Sequence, residues 1–423
     1  MENHTHTMVQ VTIDGLQVAV PATSTVLEAA HLAGIAIPTL CYLKEINQIG
    51  SCRICLVEIE NKQGLHPSCI YPVSEGMVVK TNTSEIRETR KTVLELILSD
   101  HPQKCLSCQR NDSCELQALT KQLGLETQPH KDSMRFSGET SAYSLDLSSP
   151  AIERLSDKCI KCRRCVSVCN DIQHISALGV NERGFNSTIA PAFGRNLNEV
   201  DCIACGQCIN VCPVGALREK DAIEAVWQAI ADPEIHVLIQ VAPSVRATLG
   251  EEFGLTPGTP VGKHIPATLR RLGFDKVFDT SFTADLTIME EGFEFIDRLQ
   301  NGGTLPMITS CSPGWVKYCE HHYPELLGNL STAKSPQQMF GTLAKTYYAE
   351  TNGIDPNTIY SVSVMPCTAK KHERQRPDHS YFNNTENPGF DVDAVLTVRE
   401  LARMIKQAGI EFLRQPEQDY DAP

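Results

Sequence analysis

The sequence predicts two kinds of fold in one chain: small α+β modules wrapped around cysteines over about the first 220 residues, then an α/β unit with a largely parallel sheet. Three observations carry this. Cysteines before Glu219 fall in short-spaced groups, many of them Cys-x-x-Cys. One group occurs twice, as Cys159-Ile-Lys-Cys162-Arg-Arg-Cys165-Val-Ser-Val-Cys169 and Cys202-Ile-Ala-Cys205-Gly-Gln-Cys208-Ile-Asn-Val-Cys212-Pro213, an internal repeat of one small module. After Glu219 the cysteines thin out, and short apolar runs of buried-strand type alternate with helical spacing.

Val9 to Val20 alternate apolar and polar residues around Asp14-Gly15, which predicts a β-hairpin. Ser24 to Ala33 then reads as a helix with a capping residue at its start and Gly34 at its end. This start leads into Cys41, Cys52, Cys55 and Cys69, and a first module over residues 1–83 is expected. A helix from Ser84 to Ser99 leads to His101, Cys105, Cys108 and Cys114, a second module over 84–125. Residues 126–148 are polar, rich in Ser and Thr and without period, so a linker or irregular wrap is expected there. The repeated module follows over 149–221 and the α/β unit over 222–423. In the latter, His236 to Val245 and Ile359 to Cys367 read as buried strands, and Val398 to Ala408 as a helix stopped by Gly409. Chemistry in such sheets gathers at the carboxyl ends of strands, where Cys311 and Cys367 are both expected.

Size and charge narrow the function. A chain of 423 residues has room for two to four domains, and 41% hydrophobic against 21% charged residues describes a folded protein, not a disordered one. No run of 18 apolar residues occurs, and the N-terminus MENHTHTMVQ lacks a basic stretch followed by an apolar one, so neither a membrane span nor a secretion signal is expected. With 51 acidic against 38 basic residues the net charge is −13, which repels phosphate backbones and argues against a nucleic-acid partner. Eighteen cysteines in a chain too large to need staples, and without a secretion signal, point to metal ligation in a reducing compartment, the cytoplasm.

Spacing separates the metal sites. Cys41-x10-Cys52-x2-Cys55-x13-Cys69, with Gly50-Ser51 leading in, suits a ferredoxin loop around a 2Fe-2S cluster; structural zinc is the alternative, and the two long arms fit a zinc ribbon less well. His101 with Cys105, Cys108 and Cys114 offers one imidazole and three thiolates, enough for zinc or for a 4Fe-4S cubane with one histidine ligand. Its place between a 2Fe-2S loop and two cubane motifs favours the cubane. In the duplicated motif the fourth cysteine of each run ligates the other cluster, so Cys159, Cys162, Cys165 and Cys212 should hold one cubane and Cys202, Cys205, Cys208 and Cys169 the other. Four such centres in line carry electrons singly between distant partners.

Two segments of the α/β unit, Thr309-Ser310-Cys311-Ser312-Pro313-Gly314-Trp315 and Met365-Pro366-Cys367-Thr368-Ala369-Lys370-Lys371, closely resemble the catalytic domain of iron-only (FeFe) hydrogenases. So do Ala284-Asp285-Leu286-Thr287-Ile288-Met289-Glu290-Glu291 and Lys334-Ser335-Pro336-Gln337-Gln338. The cluster-bearing residues before them resemble that family's accessory domains, shared with the large cluster-binding subunit of respiratory complex I. The resemblance implies a β-grasp 2Fe-2S domain, a cluster segment with one histidine and three cysteines, and a bacterial two-cubane ferredoxin domain ahead of an α/β catalytic domain. It implies reversible formation of H2 from protons and electrons at an H-cluster, a cubane joined through a cysteine sulfur to a two-iron unit. Cys367 would be a cubane ligand and Lys370 a hydrogen-bond donor to a cyanide. Glu291 and Glu294, three apart on one expected helix, would relay protons with Ser331 between them and Cys311 innermost. Cys319 matches no ligand position and reads as a packing thiol.

The sequence departs from the family pattern twice. The first motif usually carries two adjacent cysteines, of which the second binds the cubane; here that position is Ser312. Serine is a harder and poorer ligand for iron-sulfur than thiolate, so either Ser312 ligates through oxygen, Cys311 takes the role, or the site is weakened. The family's third motif, Glu-x-Met-x-Cys-x-x-Gly-Cys, does not occur before Pro423, and the expectation is an incomplete catalytic domain, a fragment or a split subunit whose partner chain supplies that motif and so the full H-cluster. Ferredoxin or an NADH-oxidising flavin subunit with its own 2Fe-2S partner would exchange electrons with it. The competing reading is an electron-transfer subunit like that of complex I, which would need neither catalytic motif.

Overall fold

The hairpin forms where the alternation places it, β1 (Met8–Ile13) against β2 (Leu16–Pro21), with Ile13 opposite Leu16. Asp14 and Gly15 both take positive φ, the geometry of a two-residue turn whose twist matches its strands. The computed structural model describes residues 7–125, 145–377 and 389–422. The chain divides into two compact units, one of Met1–Asp146, Glu153–Val200 and Gln207–Arg218, the other of Leu147–Ile152, Asp201–Gly206 and Glu219–Pro423.

In the first unit, α1 (Val26–Leu32) starts at a capping box, Thr25 with Glu28, one residue later than Ser24. Three further strands, β3 (Leu56–Ile59), β4 (Leu65–Pro67) and β5 (Met77–Lys80), complete a sheet of order β2-β1-β5-β3-β4 in which only β1 and β5 run parallel. Its core joins Val11, Ile13, Val20, Val57 and Val79 to Val26, Ala29 and Ala30 of α1. Next come α2 (Ser84–Ser99), capped by Thr83, and α3 (Glu115–Gln122). The buried Arg90 of α2 donates to the carbonyls of Ile54 (3.0 Å) and Leu56 (2.8 Å), fastening the helix to the first cysteine loop.

Of the expected linker 126–148, residues 126–144 lie outside the described residues, and the linker reading fails at its end. Leu145–Asp146 is a strand, β6, paired antiparallel with β7 (Ile152–Leu155), because the buried Asp146 carboxylate accepts from the Leu197 amide at 2.8 Å and lies beside Arg154. The repeated modules supply α4 (Arg164–Ser167), the short pair β8 (Gly179–Asn181) and β9 (Thr188–Ala190), α5 (Gln207–Val211) and β10 (Leu217–Glu219). The duplication extends to the backbone: Lys161 and Arg163 in the first motif and Ala204 and Gly206 in the second all have positive φ, at matching positions. Such residues fold a Cys-x-x-Cys loop tightly.

The second unit is built on four strands, all parallel: β11 (His236–Val241), β12 (Lys276–Asp279), β13 (Ile359–Met365) and β14 (Ala394–Thr397), in the order β12-β11-β13-β14. In chain order its helices are α6 (Ile223–Ala231), α7 (Val245–Thr248), α8 (His264–Leu272), α9 (Ser281–Asn301), α10 (Pro313–His322), α11 (Pro336–Leu343), α12 (Ala349–Asn352), α13 (Ala369–Glu373) and α14 (Val398–Gln407). The strands are largely apolar because both faces are covered. Val226 of α6, Leu269 of α8 and Leu401 and Ile405 of α14 share one core with the sheet, while Phe340 of α11 and Ala349 of α12 pack with Leu238 and Phe278 in another. The amide of Gln240, buried inside the sheet, is satisfied: it donates to the Gln337 carbonyl (3.0 Å) and Ser363 (2.9 Å) and accepts from Thr280 (3.0 Å). Among the described residues no helix is long and apolar enough to cross a membrane.

Candidate metal and catalytic centres

Cys159, Cys162, Cys165 and Cys212 line one cavity together with Leu178, Ile189, Val214 and Leu217, and with Arg154, Ser156 and Arg163. Three thiols of the first motif thus meet the fourth of the second. Burial pushes Cys159 up to about 11 and Cys162 up to about 12, and raises Cys165 and Cys212 as well. Backbone amides oppose the shift, with Lys161 N–H 3.4 Å from the Cys159 sulfur, the Arg164 amide at Cys162, and those of Val214, Ala216 and Leu217 at Cys212. A small, largely apolar cavity that keeps thiols protonated, with backbone amides at the sulfurs, suits a group that displaces the protons and brings its own positive charge. Among the described residues no three side chains close on a single metal ion; these four stand around a space.

Cys41, Cys55 and Cys69 are buried and Cys52 half-buried. The free thiols hydrogen-bond in pairs: Cys41 lowers Cys52 to about 6, Cys69 lowers Cys55 to about 7, and Cys41 and Cys69 are raised in turn. Gly50, in the predicted lead-in, has φ +60, and a Cβ there would press into Ile70 at 2.8 Å, so the loop needs its glycine. His101, Cys105, Cys108 and Cys114 are half-buried. Cys108 packs where a Cβ on Gly215 would come within 2.7 Å of its sulfur, and Arg110 donates to the Cys212 carbonyl at 2.9 Å.

Two residues without a sequence signal tie these sets together. The fully buried Asn47 donates to the carbonyls of Cys41 (2.7 Å) and Cys162 (3.1 Å) and accepts from Ser167 (2.9 Å). Arg164 reaches the Cys41 carbonyl at 3.4 Å and grips Glu115, next to Cys114, through both carboxylate oxygens (2.7 and 2.9 Å). Of the other repeat cysteines, Cys169, Cys202 and Cys205 are half-buried and Cys208 is buried on α5.

In the second unit, Cys367 is half-buried, two residues beyond the carboxyl end of β13. Cys311 does not end a strand. The residues before it make only an isolated bridge, Ile308 to Leu330, because the Ser310 amide, the next donor toward Cys311, bonds Glu291 instead, and Cys311 is exposed in a loop. Ser312, also exposed, is the N-cap of α10, yet its side chain makes no capping bond. Lys370 joins the two motifs, donating to the Cys311 carbonyl at 2.9 Å and pairing with the buried Glu373 at 2.8 Å. Gln337 donates to the same Glu373 at 3.1 Å. Gln337 Oε1, Gln338 Nε2 and Trp315 Nε1, all in or beside the motifs, are buried without a hydrogen-bond partner, as polar atoms waiting on a bound group would be. Cys319 is a packing thiol, buried with Val316 and Leu330.

Glu291 and Glu294 lie on α9. Ser331 donates to Glu294 Oε2 at 2.7 Å, and Arg298 donates to its Oε1 at 2.6 Å. Burial pushes Glu294 up, but the bonds from Ser331, Arg298 and the Thr332 amide outweigh it and hold the carboxyl below its ordinary value. Burial raises Glu291, despite bonds from the Ser310 amide and Ser331, and its Oε1 has no partner. Glu294 also lines an open groove with Leu286, Glu290, Phe293 and Asp297.

Comparison with known proteins agrees with this division of labour. Residues 235–423 match the model of the iron-only hydrogenase large subunit, C-terminal domain; residues 6–84 match a 2Fe-2S iron-sulfur cluster binding domain. Residues 90–129 match the NADH-ubiquinone oxidoreductase-G iron-sulfur binding region, and 149–218 the ferredoxin-like domain of NADH-quinone oxidoreductase subunit 3. The chain is 50% identical to the NADP-reducing hydrogenase subunit HndD of Solidesulfovibrio fructosivorans, over 98% of this chain and 71% of that one. It is 41% identical to iron hydrogenase 1 of Clostridium pasteurianum, over 98% and 70%. The mitochondrial NADH-ubiquinone oxidoreductase 78 kDa subunit of Candida albicans is 34% identical over 56% of this chain and 32% of its own length. With catalytic motifs, accessory cysteine sets and similarity over 98% of this chain all in agreement, the chain belongs to the iron-only hydrogenases, as a large subunit that carries its own iron-sulfur relay.

Proposed function

We propose that this hydrogenase passes electrons through one 2Fe-2S cluster, on Cys41, Cys52, Cys55 and Cys69, and three 4Fe-4S clusters. His101, Cys105, Cys108 and Cys114 hold one of the three, and Cys159, Cys162, Cys165 and Cys212 another. The repeat assigns the last to Cys202, Cys205 and Cys208 with Cys169. The modules follow the sequence divisions at 1–83, 84–125, 149–221 and 222–423. At the catalytic end Cys367 ligates the cubane, with Cys311 or Ser312 at the first motif. The observation that carries this reading is the ring of Cys159, Cys162 and Cys165 with Cys212, drawn from both repeats around one cavity.

When bound, the two-iron unit supplies the metal at which protons and electrons combine to H2. The chain's own residues bring the protons. A proton enters at Glu294 from the groove, passes the Ser331 hydroxyl to Glu291, and moves on past Ser310 toward Cys311. Burial raises Glu291 and hydrogen bonds lower Glu294, so of the two Glu291 holds a proton more readily and Glu294 releases one more readily. Lys370 keeps the two motif loops in register through the Cys311 carbonyl. Similarity to an NADP-reducing hydrogenase subunit supports a nicotinamide-linked flavin subunit as electron partner, with ferredoxin as the other candidate, and a set of thiols this large suits the cytoplasm. Infrared spectroscopy of the anaerobically matured protein tests the catalytic assignment: CO and CN⁻ stretches are expected. Their absence from protein with intact accessory clusters would overturn it.

A further inference from the structure

Helix α10 starts at the catalytic loop and runs along the Asp201–Gly206 segment. At its first turn a Cβ on Gly314 would lie 3.9 Å from the Ile203 carbonyl oxygen. Near its end His321 Nδ1 is 3.5 Å from Asp201 Oδ1. Gly314, Lys317 and His321 stand at i, i+3 and i+7 and therefore share one helix face. The two ends of that face lie at Ile203 and Asp201, either side of Cys202, and Lys317 between them is close enough to feel the charge of Cys202.

Two neighbouring acids, Glu320 and Asp201, also act on Lys317, but each has another partner. Glu320 is bonded to Arg376 at 2.7 Å, and Asp201 lies against His321. His372, beside Lys317 and Arg376, is pressed to about 4 by burial and by those cations, so it adds no charge of its own at neutral pH. Burial also draws Lys317 below its ordinary value, with Cys202 among the groups opposing that shift.

We propose that Lys317 sets the reduction potential of the cubane that Cys202 and Cys205 help to hold, its ammonium stabilising the reduced form. The inference rests on the ligand assignment made above. Reduction adds one electron from the neighbouring relay centre, with no bond made or broken, and hence one negative charge beside a cation in a partly dry setting. The same rigid helix carries Ser312 at its start, so the cation and the catalytic loop keep a fixed spacing.

Redox titration of the whole protein, followed by EPR, tests this on the parent, Lys317→Met, Lys317→Gln and Lys317→Arg. Both neutral variants should weaken reduction of a single 4Fe-4S centre by roughly threefold to tenfold, about 30 to 60 mV more negative at 59 mV per tenfold for one electron. Lys317→Arg should stay at the parental potential. Unchanged potentials in both neutral variants would overturn the proposal. So would loss of the cluster from both, which would make Lys317 a structural support. Cys202→Ala separates the two levels: it should abolish one 4Fe-4S signal, and if none disappears it is the ligand assignment that falls.

Discussion

Thr368 Oγ1 donates a 2.7 Å hydrogen bond to the carbonyl oxygen of Ala204, joining the residue after Cys367 to the residue before Cys205. Gly206, at φ +75, lies so close that a Cβ would overlap the Thr368 side chain. An accessory cysteine loop and a catalytic loop are thereby locked within one unit. Thr368→Val should leave the Ala204 carbonyl unpaired and cost about 1–3 kcal/mol. Gly206→Ala adds a left-handed penalty of about 1–2 kcal/mol to the overlap. Because Thr368→Ala removes the overlapping atoms, the Gly206→Ala, Thr368→Ala double variant should unfold in denaturant at a higher concentration than the sum of its singles predicts. Additive singles would show that the two residues do not bear on each other.

The two glutamates should respond oppositely to pH. Glu294 is held below its ordinary value, so the stability it contributes is full above that value and is lost as pH falls through its folded value. Glu294→Gln should therefore lower the melting temperature at pH 7 and matter progressively less in acid. Glu291 is raised, so its ionisation opposes folding increasingly as pH climbs from the ordinary to the raised value. Glu291→Gln should leave stability at pH 7 equal or higher. Both should nonetheless slow hydrogen evolution by about 10²- to 10⁴-fold if they pass protons. A stabilised Glu291→Gln variant with full turnover would remove that residue from the route.

Iron analysis bears on the relay. One 2Fe-2S and three 4Fe-4S clusters predict about 14 accessory iron atoms per chain, whereas about 8 iron with two zinc would make the first two cysteine sets structural zinc sites. His101→Cys should keep its cubane and lower its potential, because thiolate adds a negative charge where imidazole adds none. An unmoved potential would exclude His101 as a ligand.

Repeats and alternation were legible because they are local. The hairpin at Asp14-Gly15 and the two Cys-x-x-Cys loops with matching left-handed residues follow from short-range pattern. The meeting of Cys212 with Cys159, Cys162 and Cys165 could be foreseen because the motif itself encodes the exchange. Contacts between distant segments left no such trace. Asn47 sits in an ordinary loop, and only the folded chain brings its amide to Cys162. Leu145–Asp146 looked like part of a polar linker because the partner that orders Asp146, the Leu197 amide, lies far along the chain. Cys311 looked like a strand end because Met307-Ile308-Thr309 is apolar and β-branched, while the pairing that would make it one is confined to a single bridge.

Lys370 holds two loops and one buried acid, and these roles can be separated. Its ammonium bonds the Cys311 carbonyl and the Glu373 carboxylate, whose side chain is only 3% exposed. Gln337 supports Glu373 from the other side at 3.1 Å, but an amide cannot neutralise a carboxylate. Lys370→Met should leave Glu373 buried without its cation and cost about 3–5 kcal/mol, read as a lower midpoint in denaturant. Adding Glu373→Gln should recover most of that loss, since the charge that needed a partner is gone. The double variant still lacks the bond to Cys311, so its loops should remain out of register and hydrogen evolution should stay low. Recovery of both stability and turnover would reduce Lys370 to a counter-ion for Glu373. Recovery of stability alone would assign its second bond to the catalytic site.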